Sequence, residues 1–167
     1  MRKLEPPDSH CISAVMGWLE LGNAREAEVE LRNVSAEVAT HPDVLEARYA
    51  VLSQQQRWPE ALEAAQQLTR LAPKRVSGWL HQAYALRRVP DGGLEAAWHA
   101  LLPMSEIFPN NPTVPYNLSC YACQMDQLEA AWEWLERAIT LAGKEAIKEL
   151  ALADSDLKPL WQRITAL

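Results

Sequence analysis

Small residues that recur at a fixed spacing along an otherwise helical chain constrain its fold more than any composition figure. Ala27, Ala61, Ala97 and Ala131 are separated by 34, 36 and 34 residues. Four residues after each comes an apolar partner on the same helical face: Leu31, Ala65, Leu101 and Leu135. Twelve residues after each alanine stands a helix-ending residue: Ala39, Pro73, Pro109 and Gly143. A register held for four turns of the cycle means four copies of one supersecondary unit, each with an apolar face that only a neighbouring copy can cover.

The stretch from Pro112 to Glu145 shows the unit most plainly. Tyr116-Asn117-Leu118-Ser119-Cys120-Tyr121 predicts one helix, with the small Ser119 where a neighbouring backbone must come close. Met125-Asp126-Gln127 is a turn, and Leu128 to Leu141 repeats apolar residues at three and four, the mark of a second amphipathic helix. Two helices cannot bury so much apolar face alone. Neighbours of the same kind supply the rest.

The motifs carried on this period are Trp79 with Ala83 and Leu86, Asn117-Leu118-Ser119 with Tyr121, the turn Leu21-Gly22-Asn23-Ala24 before Glu26-Ala27, and Pro73 and Pro109 closing their units. With them the chain resembles the tetratricopeptide repeat family over roughly residues 8 to 145. The resemblance implies an all-α fold: a right-handed superhelical solenoid of about four helix-turn-helix repeats in a single domain over 1–167. The repeats run approximately over 8–41, 42–75, 76–111 and 112–145, with a C-terminal cap over 146–167. Gly22 is the only turn glycine in the family's place, Pro115 stands where a large aromatic is usual, and the third repeat is two residues longer than the others.

Within that frame the local signals are specific. Pro6-Pro7 ends a loose start, and Asp8-Ser9 is placed to cap a first helix over His10–Leu21. The second helix is expected from Ala24 to Ala39, its solvated face carrying Glu26, Glu28, Glu30 and Glu37 with Arg25 and Arg32. Asp43 caps the third helix, and Pro59 sits in the first turn of the fourth, where its missing N–H costs nothing. Val76 to Arg88 reads as a helix, with Trp79 its core anchor. Val89-Pro90-Asp91-Gly92-Gly93 then holds the two extra residues, and Pro103 is expected to kink a helix over Leu94–Phe108. Lys144 to Ala153 and a short helix through Leu157, Leu160, Trp161 and Ile164 are read as a cover for the last bare apolar face, Trp161 being its anchor.

With 49% apolar residues the chain can fill a core, and its net charge of −6 argues against duplex nucleic acid, which needs many Lys and Arg contacts. That charge is uneven: −4 over 8–41, +1 over 42–75 and −3 over 112–145. Three cysteines, Cys11, Cys120 and Cys123, with no signal sequence or apolar span, predict a reducing, cytoplasmic setting without membrane contact. Cys120-x-x-Cys123 lies within a helix and lacks a second Cys or His pair nearby, so no metal site is expected, one thiol packing and the other facing a groove. The histidines, His10, His41, His81 and His99, are scattered, and no phosphate loop, nucleophile elbow or HExxH motif occurs. No cofactor and no enzymatic function are predicted.

A surface remains. In the family, the first helices of successive repeats turn one stripe toward the concave side. Here the resemblance places Tyr84, Arg87, Arg88, Tyr116 and Asn117 at its centre, flanked by His81 and Gln124. Arg forks bind carboxylates bidentately and Tyr offers contact area at low entropy cost, as a peptide-binding hot spot requires. Asn117 matches the asparagine with which chaperone-binding members hold a terminal carboxylate, but the lysines of that clamp are missing. The expected function is therefore a protein-interaction module or adaptor binding a peptide or protein segment in the concave groove. The alternative is a small client-specific chaperone resembling those of secretion systems, and weak self-association through the end faces is a third reading.

Overall fold

The computed structural model describes residues 3–167; Met1 and Arg2, part of the expected loose start, lie outside them. Among the described residues every regular element is helical. The chain forms two compact units that meet in sequence at Pro90 and Asp91, inside the glycine-containing break of the third repeat.

The first unit contains α1 (Asp8–Glu20), α2 (Ala24–Leu31), α3 (Pro42–Gln54), α4 (Trp58–Leu71) and α5 (Val76–Leu86). α1 pairs with α2 and α3 with α4, while α1, α3 and α5 lie side by side and each second helix packs on the next first helix. The recurring alanines are the reason the helices fit. Ala27, Ala61 and Ala65 have no exposed surface, so a larger side chain there would meet a wall. Gly78 does the same for α5, since a Cβ on it would sit 3.0 Å from Leu68 Cγ in α4. The turn joining α1 to α2 needs a left-handed residue, supplied by Gly22 at φ +74; Asn23 then caps α2, accepting the Glu26 amide at 3.2 Å. At the corresponding place 34 residues later, Gln56 adopts φ +58 despite its side chain.

Several boundaries differ from expectation. α1 begins at Asp8, which does not cap it; instead the Asp8 carboxylate reaches 27 residues ahead to accept the Ser35 amide and hydroxyl, both at 2.7 Å. Those bonds hold the Asp8 carboxyl below its ordinary range. They also explain why α2 stops at Leu31 rather than Ala39. Asn33-Val34-Ser35 has weak helix propensity, and the ring closed by Asp8 takes the chain out of the helix before a 3-10 turn at Ala36–Val38. α3 is capped by His41, whose Nδ1 accepts the Asp43 amide at 3.2 Å, so Asp43 is not the cap. Trp79 is only half-buried and donates its indole N–H to the Pro73 carbonyl at 3.0 Å; it is a latch at the repeat edge, not a core anchor.

The second unit contains α6 (Leu94–Leu101), α7 (Met104–Ile107), α8 (Thr113–Gln124), α9 (Leu128–Ala142), α10 (Lys144–Ala153), a 3-10 segment Ser155–Leu160 and α11 (Trp161–Thr165). The helix expected over Leu94–Phe108 is broken outright at Pro103 rather than kinked, because proline offers no N–H to the preceding turn and becomes the cap of α7. α8 is the most enclosed element: Val114, Leu118, Ser119, Tyr121 and Ala122 are at most 1% exposed. Ser119 sits at the crossing with α9 and donates its hydroxyl to the Ala131 carbonyl at 2.7 Å. A backbone that close requires the two small residues the period provides. Leu157, Leu160 and Ile164 close the C-terminal end, all buried, and Trp161 anchors it by donating to the Ala151 carbonyl at 3.0 Å. No helix among the described residues is long and apolar enough to cross a membrane.

Candidate interaction surface

Pro59, in the first turn of α4, starts that helix so that Trp58 stands at its head beside the end of α5. Trp58 and Tyr84 meet with ring centroids 5.9 Å apart and planes tilted by 59°. Arg88, just past α5, lays its guanidinium 3.5 Å from the Tyr84 centroid and 5.0 Å from that of Trp58. One guanidinium nitrogen donates to the Tyr84 carbonyl at 3.0 Å, which fixes the plane. Tyr84 remains 39% exposed. Arg87 is the C-cap of α5 and half-buried.

The contrast with the neighbouring arginines is chemical. Arg75 pairs with Asp43 at 2.6 Å and Glu46 at 3.1 Å, and Arg57 pairs with Glu28 at 2.9 Å and with Glu60. Among the described residues Arg88 has no carboxylate partner. It is a held cation on an aromatic platform, with its outward donors unanswered by an acid.

His81 belongs to the packing of this surface. Its ring stacks on Tyr49 with centroids 4.0 Å apart and planes within 8°, and its Nδ1 is buried without a hydrogen bond. Burial pushes its pKa below the ordinary 6.5, against the opposing pull of Glu46. It is therefore neutral at neutral pH.

The remaining expected site residues lie on α8, in the second unit. Tyr116 is 7% exposed and donates its hydroxyl to Asp154 at 3.0 Å. Burial first, then the charges around Cys120, Asp154 and Asp156, hold that hydroxyl protonated far above its usual range. Asn117 donates to the Thr113 carbonyl at 2.9 Å, one turn back in its own helix, and Gln124 donates to the Asp156 carbonyl at 2.8 Å. Cys120 and Cys123 are both buried, so neither thiol faces a groove; burial, then Asp156, Asp126 and Asp154, push the Cys123 thiol up.

Two clefts escape sequence reasoning altogether. In the first unit a cleft of about 460 Å³ is lined by Glu28, Arg48, Arg57, Glu60, Glu63 and Gln67, among others; Arg57 is already neutralised within it by Glu28 and Glu60. In the second, a cleft of about 320 Å³ lies among Phe108, Pro115, Trp134, Arg137 and Leu141. Its Trp134 takes the edge of Trp98 at 6.1 Å and carries Arg137 4.4 Å above the ring. In the sequence Trp58 and Trp134 are only members of helices; nothing in their spacing marks them as partners of Arg88 or Arg137.

No protein-family model matches the sequence, and no curated protein is similar to it. Solved structures are similar in fold. TTC0263, a thermophilic tetratricopeptide repeat protein of Thermus thermophilus, superposes with a TM-score of 0.72 at 17% identity, over 96% of this chain and all of that one. MamA from Desulfovibrio magneticus RS-1, from residue 41 onward, gives 0.68 at 15% identity, over 98% and 94%. MamA from AMB-1 gives 0.62 at 16%, over 96% and 91%. The fold is that of tetratricopeptide repeat proteins.

Proposed function

We propose that this chain, with its tetratricopeptide-type fold, is a protein-interaction module whose first unit docks an acidic peptide segment on the platform formed by Trp58, Tyr84 and Arg88. The observation that carries this reading is Arg88. A guanidinium oriented by two rings and a backbone carbonyl, with no carboxylate partner among the described residues, has already lost the side-chain freedom that binding would otherwise cost. A partner carboxylate, from an acidic side chain or a chain terminus, meets the fork of donors, while an apolar neighbour in the same segment covers the exposed face of Tyr84. Arg87, adjacent at the end of α5, adds positive charge in a chain that is acidic as a whole. His81 contributes by holding α5 on α3 through its stack with Tyr49. The residues of α8, Tyr116, Asn117 and Gln124, serve the integrity of the second unit in this reading.

Selection from a displayed random-peptide library tests it. Binders should be enriched in Asp, Glu or a free C-terminal carboxylate, and the double change Arg87→Glu, Arg88→Glu should weaken them tenfold or more, equivalent to about 1.4 kcal/mol. Tyr84→Ala should weaken them independently of charge. Neutral binders whose affinity ignores both changes would defeat the assignment.

A further inference from the structure

We infer that the cleft of the second unit is a docking site for a protein segment in which a large apolar side chain stands beside a carboxylate. The cleft is lined from α7, α8 and α9, and its walls are mostly apolar: Phe108, Pro115, Trp134 and Leu141, the last 39% exposed. Its volume of about 320 Å³ is at the lower end of the roughly 300–1,000 Å³ of ligand sites, which suits one large side chain and its neighbour.

Repeat packing does not ask for these residues. Trp134 follows the crossing alanine of its repeat by three residues, where the other repeats have Glu30, Ala64 and Ala100. Arg137 follows it by six, where they have Asn33, Gln67 and Pro103. Ala64 and Gln67 line the charged cleft of the first unit, so the same register opens on a cleft there too, with no aromatic side chain in its lining.

Arg137 is the one charged side chain among the described residues that line the cleft. The hydroxyls of Ser105 and Thr140 are spent on carbonyls of their own turns, Leu102 at 2.8 Å and Glu136 at 2.9 Å. Glu133 stands one turn before Arg137, in the favourable order for an i, i+4 ion pair, yet among the described residues Arg137 makes none. Its guanidinium lies over Trp134 instead, 4.4 Å from the ring centroid, and Trp98 packs edge-on at 6.1 Å to hold that ring. Glu136 is engaged elsewhere, accepting the Trp132 indole N–H at 2.7 Å.

A cation kept off its nearest acid and laid on the aromatic wall of an apolar cleft is complementary to a carboxylate carried next to an apolar anchor. Burial of the anchor supplies most of the affinity, and the carboxylate fixes its orientation. At the Trp58 platform the order is reversed, with the carboxylate first. The two sites are therefore independent, each with its own preferred segment.

NMR titration of the full, isotope-labelled chain with the end-blocked peptide Ser-Phe-Glu-Ser tests the site, read at the Trp134 indole N–H. The peptide should shift that signal and the amides of Phe108 and Leu141 saturably, and the version with alanine for phenylalanine should not. The version with glutamine for glutamate, and Arg137→Glu in the protein, should each weaken binding at least about fivefold. Arg137 is exposed, so Arg137→Glu should melt as the wild type does. Arg88→Glu should leave the Trp134 titration unaltered, which separates this site from the platform of the first unit. A Trp134 signal unmoved at millimolar peptide would overturn the assignment. So would equal shifts with the alanine peptide, or undiminished affinity after Arg137→Glu.

Discussion

In the first unit the polar ties between repeats run across the surface: Arg57 joins Glu28 of α2 to Glu60 of its own helix, and Arg75 joins Asp43 and Glu46 of α3 to the start of α5. In the second, beside an exposed pair between Arg163 and Glu129, the ties around α8 run inward: Ser119 bonds the Ala131 carbonyl within the last repeat, and Tyr116 bonds Asp154 of the cover. Exposed ion pairs contribute little and are screened by salt, whereas a buried donor that loses its acceptor carries the full desolvation penalty. The same repeat is therefore closed in two ways. One leaves a surface whose charges can be rearranged at little cost, as a recognition surface needs; the other fixes α8 and its cover in a single arrangement.

The difference between the two units is greatest in the core of the second. Leu118→Ala removes a side chain with no exposed surface and should cost about 2–5 kcal/mol in chemical denaturation. Tyr116→Phe should cost about 1.5–3 kcal/mol, because it deletes a hydrogen bond to a carboxylate inside the same unit. A loss near zero would mean that the Tyr116–Asp154 bond does not hold the cover.

The first unit answers to pH through His81. Its folded-state pKa is depressed, so the neutral form is the one folding favours. Stability is full above the unfolded-state value of 6.5 and falls as pH drops below it, since the unfolded chain then takes up the proton more readily. Thermal melts of His81→Phe, which can keep a stack on Tyr49, should lack that slope. Gln56→Gly should stabilise by up to about 1 kcal/mol, because glycine adopts φ +58 without strain. The smallest effect belongs to Arg57→Met: any loss of melting temperature at low salt should vanish at high salt.

What the sequence reveals and what it hides divide along the same physical line. The crossing alanines, the small residue at Ser119 and the interruption at Pro103 act within one or two helical turns or at the fixed period, and each is found where its spacing places it. The early end of α2 is hidden because its cause, Asp8, lies 27 residues from Ser35. Trp79 misleads because its apolar bulk suggests the core, whereas its N–H needs the Pro73 carbonyl near the surface. Trp58 gives a helix-start signal and nothing more, although the fold stands it beside Tyr84 and Arg88. Periodicity reports which face is buried. It does not report which polar groups from distant segments meet there.

The acidic-segment reading is tested most directly by amide and indole NMR shift mapping, titrating a selected acidic peptide into the full chain. The largest changes should fall on the Trp58 indole, Tyr84, Arg87 and Arg88, and should disappear when the peptide carboxylates are replaced by amides. Changes confined to Phe108, Trp134 and Leu141, insensitive to that replacement, would contradict it and move recognition to the apolar cleft of the second unit.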